Sequence, residues 1–239
     1  MGPGFDSRQV HFIFKMAKVI FKIDIEKDAW NYWRTANSGT SYGYDFKKKL
    51  DPKIIKKLKC KEFEEVKKEI VIFLKEKFYN SREINKKIKI IRNNWKKVEK
   101  KYFDKLEKIT KHEIYTNKFT CYITTLGRCP YNPQENWFMT NISWSEDMIV
   151  LTVAHELMHL QFHHYYEKKL LKEISKEQFH DIKEALTVLL NIEFSDLIKS
   201  KDLGYPKHQK LRKFIQKEWE KEKDFDLLIK KLSIKTKLL

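Results

Sequence analysis

The stretch His155-Glu156-Leu157-Met158-His159 puts three ionisable side chains inside an apolar run, residues 148–160, and any fold of this chain has to accommodate them. Ile149, Val150, Leu151, Val153, Ala154, Leu157, Met158 and Leu160 surround the three, so the segment belongs in a core. A carboxylate and two imidazoles buried there without partners would be costly. Ser145 reads as an N-cap, Glu146 and Asp147 place negative charge in the first turn, and the apolar run continues for helical length. The expectation is a buried helix whose polar face is completed by a group from elsewhere in the chain.

Histidines four residues apart lie one above the other on a helix face, so two imidazole nitrogens can converge on one tetrahedral Zn²⁺. Glu156 follows His155 by one position, about 100° round the helix, where it can reach a coordinated water without being a ligand. Zinc lowers the pKa of such a water to about 7 and polarises a carbonyl, and the glutamate supplies a general base. His163 keeps the same face but stands about 12 Å along the axis from His155, too far to join that pair; His164 points elsewhere. Ser175-Lys176-Glu177-Gln178 reads as a capping box that opens a second helix. Its buried side comprises Ile182, Ala185, Leu186, Leu189, Leu190 and Ile192, and Glu184 interrupts that pattern with a carboxylate in need of a counter-charge. Glu173, Glu177 and Glu193 are weaker rivals for the third ligand position.

His155-Glu156-x-x-His159 followed by Glu184 on a second helix resembles the gluzincin clan of zinc metallopeptidases. The resemblance covers roughly residues 119–191. It implies an α+β, zincin-like catalytic domain with a small twisted sheet, an active-site helix and a glutamate helix. Carried over, His155, His159 and Glu184 bind zinc, and Glu156 is the base in peptide-bond hydrolysis. The clan also commonly adds a carboxylate a few residues after the ligand glutamate. Val188 stands at one such position here, so Asn191 or Thr187 would have to serve. The clan often stabilises the oxyanion with a His or Tyr further on, for which His208 and Tyr205, in the turn Asp202-Leu203-Gly204-Tyr205-Pro206-Lys207-His208, are the candidates. Gly and His at positions 162 and 165 would mark a metzincin; Phe162 and Tyr165 stand there instead.

Residues 136–143 have strand composition and directly precede the active-site helix; in the clan such a strand forms the cleft rim and pairs with extended substrate. Residues 118–125 are a second strand candidate, and Gly127, Pro130 and Pro133 mark a turn between them. Upstream, residues 1–15 read as a tag or disordered arm with Met16 as a candidate start, and residues 19–25 as a strand. Trp30, Tyr32 and Trp33 form an aromatic cluster ahead of a Gly/Ser loop at 37–44, a candidate lid. Amphipathic helices are expected over 53–78, opened by Asp51-Pro52, and from 80 or 81 to about 110. This divides the chain into a mainly helical N-terminal region, 16–112, and a catalytic domain, 113–239.

With 41% hydrophobic and 14% aromatic residues the chain has ample material for a core. No apolar stretch approaches the roughly 18–20 residues that span a bilayer, and no secretory signal is visible. Cys60, Cys121 and Cys129 lack zinc-ribbon spacing, and reduced thiols in a cytoplasmic protein are the expectation. The net charge of +17 is spread through nearly every helix; a field of that size attracts nucleic acid or acidic substrates as well as peptide or protein. Two rival readings follow. One is a SprT-like protease acting on DNA-crosslinked proteins, with His180 as third ligand although Asp181, not glycine, follows it. The other is a basic nucleic-acid-binding module with a structural metal.

Overall fold

The computed structural model describes residues 16–40 and 43–238; the expected N-terminal arm and part of the candidate lid lie outside them. In chain order the elements are strand β1 (Lys18–Ile23), helices α1 (Ile25–Asn37), α2 (Pro52–Leu58), α3 (Phe63–Leu74) and α4 (Arg82–Thr110), and strands β2 (Lys118–Thr124), β3 (Tyr131–Asn132) and β4 (Trp137–Asn141). Helices α5 (Glu146–Leu170), α6 (Lys176–Leu186), α7 (Val188–Glu193), α8 (Gln209–Glu222) and α9 (Phe225–Lys237) complete the set. The architecture is α+β, mostly helical around a small mixed sheet. No helix among the described residues is long and apolar enough to cross a membrane.

The sheet runs β1-β2-β4-β3, with β1, β2 and β4 parallel and β3 antiparallel. Alternation sets the two faces. Val19 and Phe21 on β1 sit in register with Phe119 and Cys121 on β2, and Cys121 with Phe138 on β4. These five side chains are buried in the main core, together with the apolar faces of α4 and α5. On the other face α1 crosses the strands: Trp30 meets Trp137 edge-on at 6.1 Å, and the Lys27 ammonium stands 4.3 Å over the same indole. Helix α1 also anchors a smaller core shared with α2 and α3, built on Tyr32, Leu58, Val66, Ile70 and Leu74.

The segments on either side of residue 112 share one sheet and one core. Strand β1 hydrogen-bonds along β2, and α4 lies in the same core as α5, so the N-terminal segment completes the layer that carries the candidate site. Three expectations are corrected. The helix expected over 53–78 is two helices, because the chain takes a left-handed turn at Cys60 (φ 60°) and restarts where the Glu65 side chain accepts from the Glu62 N–H. The strand expected at the cleft rim, now β4, is interior: its five residues are all buried, and β3 covers its outer side. The edge is thus the two-residue strand Tyr131–Asn132, inside a segment read as a turn. The aromatic cluster ahead of the loop lies in a helix, α1, which is capped by the Asp24 side chain accepting from Lys27 N–H at 2.9 Å.

One buried carboxylate fastens α1 to the end of β2. Asp28 is fully buried and accepts hydrogen bonds from the hydroxyls of Thr124, Thr125 (2.8 Å) and Tyr79 (2.9 Å) and from the Thr125 N–H. Burial raises its pKa, and these donors oppose the rise. Asp28→Ala strands several donors in a dry interface, so the unfolding free energy should fall by roughly 2–4 kcal/mol. Urea denaturation measures this, and an unchanged midpoint would remove Asp28 from the account.

Candidate active site

Helix α5 delivers His155, Glu156 and His159 to one place because both its ends and its middle are fixed. Ser145 caps its N-terminus, accepting from Met148 N–H, and Lys168 and Lys169 occupy its last turn. In the middle, the buried Tyr102 phenol of α4 donates to the Ala154 carbonyl at 2.6 Å, one residue before the first histidine. Helix α6 opens with the capping box Ser175/Gln178 and packs on α5 through stacked Phe162 and Phe179 rings, 5.1 Å apart. That packing sets Glu184 opposite the two imidazoles.

Glu184 Oε2 stands 3.4 Å from His159 Nε2 and 3.7 Å from His155 Nε2. One donor atom from each of the three residues lies within 4.8 Å of the others, and His155, His159 and Glu184 are the group among the described residues that could hold a metal ion. Two donors bound to a tetrahedral zinc at about 2.0–2.1 Å stand roughly 3.4 Å apart, so the spacing suits such an ion. His159 and Glu184 are almost fully buried, whereas the His155 side chain keeps 20% exposure and faces the opening. The other oxygen of Glu184 accepts from the buried Lys183 ammonium, which also lies 4.7 Å over the Tyr131 ring.

The orientation of His155 comes from Asp202, a residue the sequence reading passed over. The imidazole Nδ1–H donates to Asp202 Oδ2 at 2.7 Å, which turns Nε2 towards Glu184. Asp202 is itself held by the Thr187 hydroxyl (3.1 Å), the Arg212 guanidinium (2.9 Å) and a reciprocal pair of bonds with the Asn191 amide (both 2.8 Å). Thr187 and Asn191, expected to replace a supporting carboxylate, are instead the holders of one supplied from a later turn. Gly204 makes that turn possible: its φ is +61°, and an added Cβ would stand 2.7 Å from Arg212 Nη1.

The charge states follow from burial and neighbours. Burial pushes the His159 pKa well below its usual value, helped by the Lys183 and His155 charges, so its imidazole is neutral and competent as a ligand. Neither of its ring nitrogens has a hydrogen-bond partner among the described residues. Burial opposes ionisation of Glu184, but His159, Lys183 and His155 outweigh it and hold the carboxylate well below the usual range. Burial likewise depresses His155, but the Asp202 charge and hydrogen bond, with Glu184 and Glu156, override it and raise its pKa to about 10. Glu156 is pushed up to about 7 by burial, against the pull of His155 and Lys183, and its Oε2 has no hydrogen-bond partner among the described residues. The cluster is built to hold positive charge, by proton or by cation.

These groups line a cleft of about 1090 Å³, walled by the α5 histidines, α6, the β3 edge with residues 127–134, and the 201–207 turn. Tyr205 lines it; burial, with the Glu184 and Glu156 charges, raises the phenol pKa and keeps its proton in place. His208 is placed otherwise. It is buried, its Nε2 bonds to Asp181 at 3.0 Å, and it is absent from the cleft wall, so the oxyanion role expected for it has no geometric basis. His163 bonds to the Tyr131 hydroxyl at 2.9 Å and faces Glu167, and His180 lines the cleft without joining the three donors. Among the rival carboxylates, Glu193 accepts from the Trp219 indole and Glu173 from Ser233, while Glu177 sits at the cleft margin. Tyr131, missed in the sequence because it sits among turn residues, stands with its ring 5.8 Å from that of His159. No family model, curated protein or solved structure matches this chain.

Two measurements test this arrangement. Asp202→Asn should weaken Zn²⁺ binding by about 10–100-fold, since the imidazole loses its anionic partner; calorimetry reads the affinity, and an unchanged value would show that Asp202 does not orient the ligand. Since His155 carries a proton at neutral pH that an incoming ion must displace, Zn²⁺ binding should release protons and tighten as pH rises from 6 to 8. Titrations in buffers of different ionisation enthalpy count those protons, and none released would contradict the charge assignment.

Proposed function

We propose that this chain is a zinc-dependent metallopeptidase of gluzincin type with a zincin-like arrangement of sheet, active-site helix and glutamate helix. The observation that carries this reading is the convergence of His155, His159 and Glu184 from two helices, with a buried carboxylate of raised pKa on the next residue of the first helix. Glu173, Glu177 and Glu193 are engaged elsewhere, and His180 stands outside the donor set, which favours Glu184 as third ligand over the histidine alternative.

His155, His159 and Glu184 would hold the zinc ion, which when bound would supply polarisation of the scissile carbonyl and acidification of a water. Glu156 would accept a proton from the attacking water at its Oε2, which has no hydrogen-bond partner among the described residues, and pass it to the leaving amine; a pKa of about 7 suits a group that must first accept and then donate near neutrality. Tyr205, kept protonated, donates to the oxygen on which charge develops. His155 and Asp202 move no proton in the reaction; their hydrogen bond fixes the ligand ring. Tyr131 of the edge strand lines the cleft, and that strand would offer an extended peptide a backbone to pair with.

Metal analysis and cleavage of an unspecific peptide library test the reading together. Glu184→Ala should lose most of its zinc. Glu156→Gln should keep zinc at one equivalent while chelator-sensitive cleavage drops by about 10²–10⁴-fold. Full zinc retention in Glu184→Ala, or undiminished cleavage by Glu156→Gln, would overturn the assignment.

A further inference from the structure

Two arginines in the cleft wall take no part in the site described above. Arg34 lies in the last turn of α1, and Arg128 follows β2; both line the cleft. Each guanidinium is laid against an aromatic ring, Arg34 5.4 Å over Trp30 and Arg128 5.6 Å over Phe46, so neither side chain is a mobile surface arm. The backbone is fixed too. Asn31, fully buried one turn before Arg34, donates to the Arg128 carbonyl at 2.7 Å and to the Thr124 hydroxyl at 3.0 Å, so a single amide sets the spacing of the pair.

No carboxylate of the described residues answers these charges. Among the described residues neither arginine has an acidic partner, and Arg128 Nη1 is buried with no hydrogen-bond partner at all. Elsewhere in the protein the buried cations are paired, Arg212 with Asp202 and Lys183 with Glu184. Burial lowers the pKa of both arginines, and for Arg128 the proximity of Arg34 adds to it, bringing that group to about 10. Two like charges held together and partly dehydrated form an arrangement that an anion relieves. The pair is also close to the donor set: Tyr131 lies within the field of Arg34 and Tyr205 within that of Arg128, and these tyrosines border His159 and Glu184.

We propose that Arg34 and Arg128 form a carboxylate-binding subsite, so that the favoured substrates are peptides with a carboxylate placed a short distance from the bond to be cut. This rests on the peptidase reading and names its substrate class. A planar guanidinium fork matches a carboxylate in two-point geometry. The carboxylate comes either from the peptide C-terminus or from an Asp or Glu side chain. A polyanion such as nucleic acid is the less favoured occupant, because Glu156, Glu167, Glu177, Glu184 and Asp202 alternate in the walls with Lys176, Lys183, Lys201 and Lys207, a mixed lining rather than a continuous basic track.

Binding to the zinc-treated Glu156→Gln protein, read by fluorescence anisotropy, tests this without requiring turnover. Three versions of one apolar peptide are compared: free C-terminus, C-terminal amide, and C-terminal amide with one internal glutamate. At least one carboxylate peptide should bind about tenfold or more tighter than the plain amide, and the arm that gains identifies the source. Adding Arg34→Gln and Arg128→Gln should erase the gain while leaving the plain amide within about twofold, and Arg128→Lys, which keeps the charge but not the fork, should restore only part. The proposal falls if all three peptides bind equally, if the gain survives the double substitution, or if a short single-stranded DNA binds tighter than the peptides with the same arginine dependence. Arginine-dependent carboxylate binding in a protein whose unsubstituted form cleaves no peptide would leave this subsite standing and remove the peptidase reading alone.

Discussion

Everything else in this structure is arranged around one buried carboxylate that stays ionised, Glu184. Taking such a group out of water costs several kcal/mol unless opposite charge and hydrogen bonds meet it. Here the protonated His155 and the Lys183 ammonium do so from two helices. That requirement dictates the packing: α5 and α6 must lie side by side with the imidazoles facing the acid, and stacked Phe162 and Phe179 hold them there. Behind His155 the same logic repeats once, with Asp202 against the imidazole and Arg212, Thr187 and Asn191 around Asp202. The result is a chain of alternating charge running from α8 through the 202–205 turn to the mouth of the cleft.

The parts of this that were legible in the sequence are those written in local chemistry. Ser145 and Ser175 mark helix starts because a cap needs a short side-chain oxygen, and both are caps in the structure. The period-two burial of Phe119, Cys121 and Ile123 identifies β2, and Glu184 stands out because a carboxylate amid Ile182, Ala185 and Leu186 needs an explanation. What was not legible depends on contacts distant in sequence. Asp202 lies in a polar turn and reads as a loop residue; its role exists only because Gly204 allows Arg212 to close over it. Strand β3 is two residues among prolines and a glycine, too short for any periodic signal. Cys60 breaks the expected helix with a positive φ at a residue that is not a turn former.

The N-terminal segment changes meaning for a similar reason. Its lysine-rich amphipathic helices read as an appended region, yet β1 pairs with β2, and Tyr102 of α4 bonds to the backbone beside the first histidine. Helix α1 goes further, because Asp28, Asn31 and Arg34 lie one turn apart on it and reach, in order, the end of β2, the Arg128 carbonyl and the cleft. The same helix that stabilises the sheet therefore shapes the cleft. The buried cations Arg212 and Lys183 are each paired with a carboxylate, whereas Arg34 and Arg128 lie against aromatic rings and, among the described residues, have no acidic partner.

The central claim is that the imidazoles of α5 and the carboxylate of α6 surround one divalent ion. An anomalous difference map recorded at the zinc edge on crystals of zinc-replete protein addresses it directly. A single peak about 2.0–2.2 Å from His155 Nε2, His159 Nε2 and a Glu184 oxygen, with a position left open towards the cleft, is the predicted result. A peak ligated by His163 or His180 instead, or no peak between α5 and α6, would contradict it.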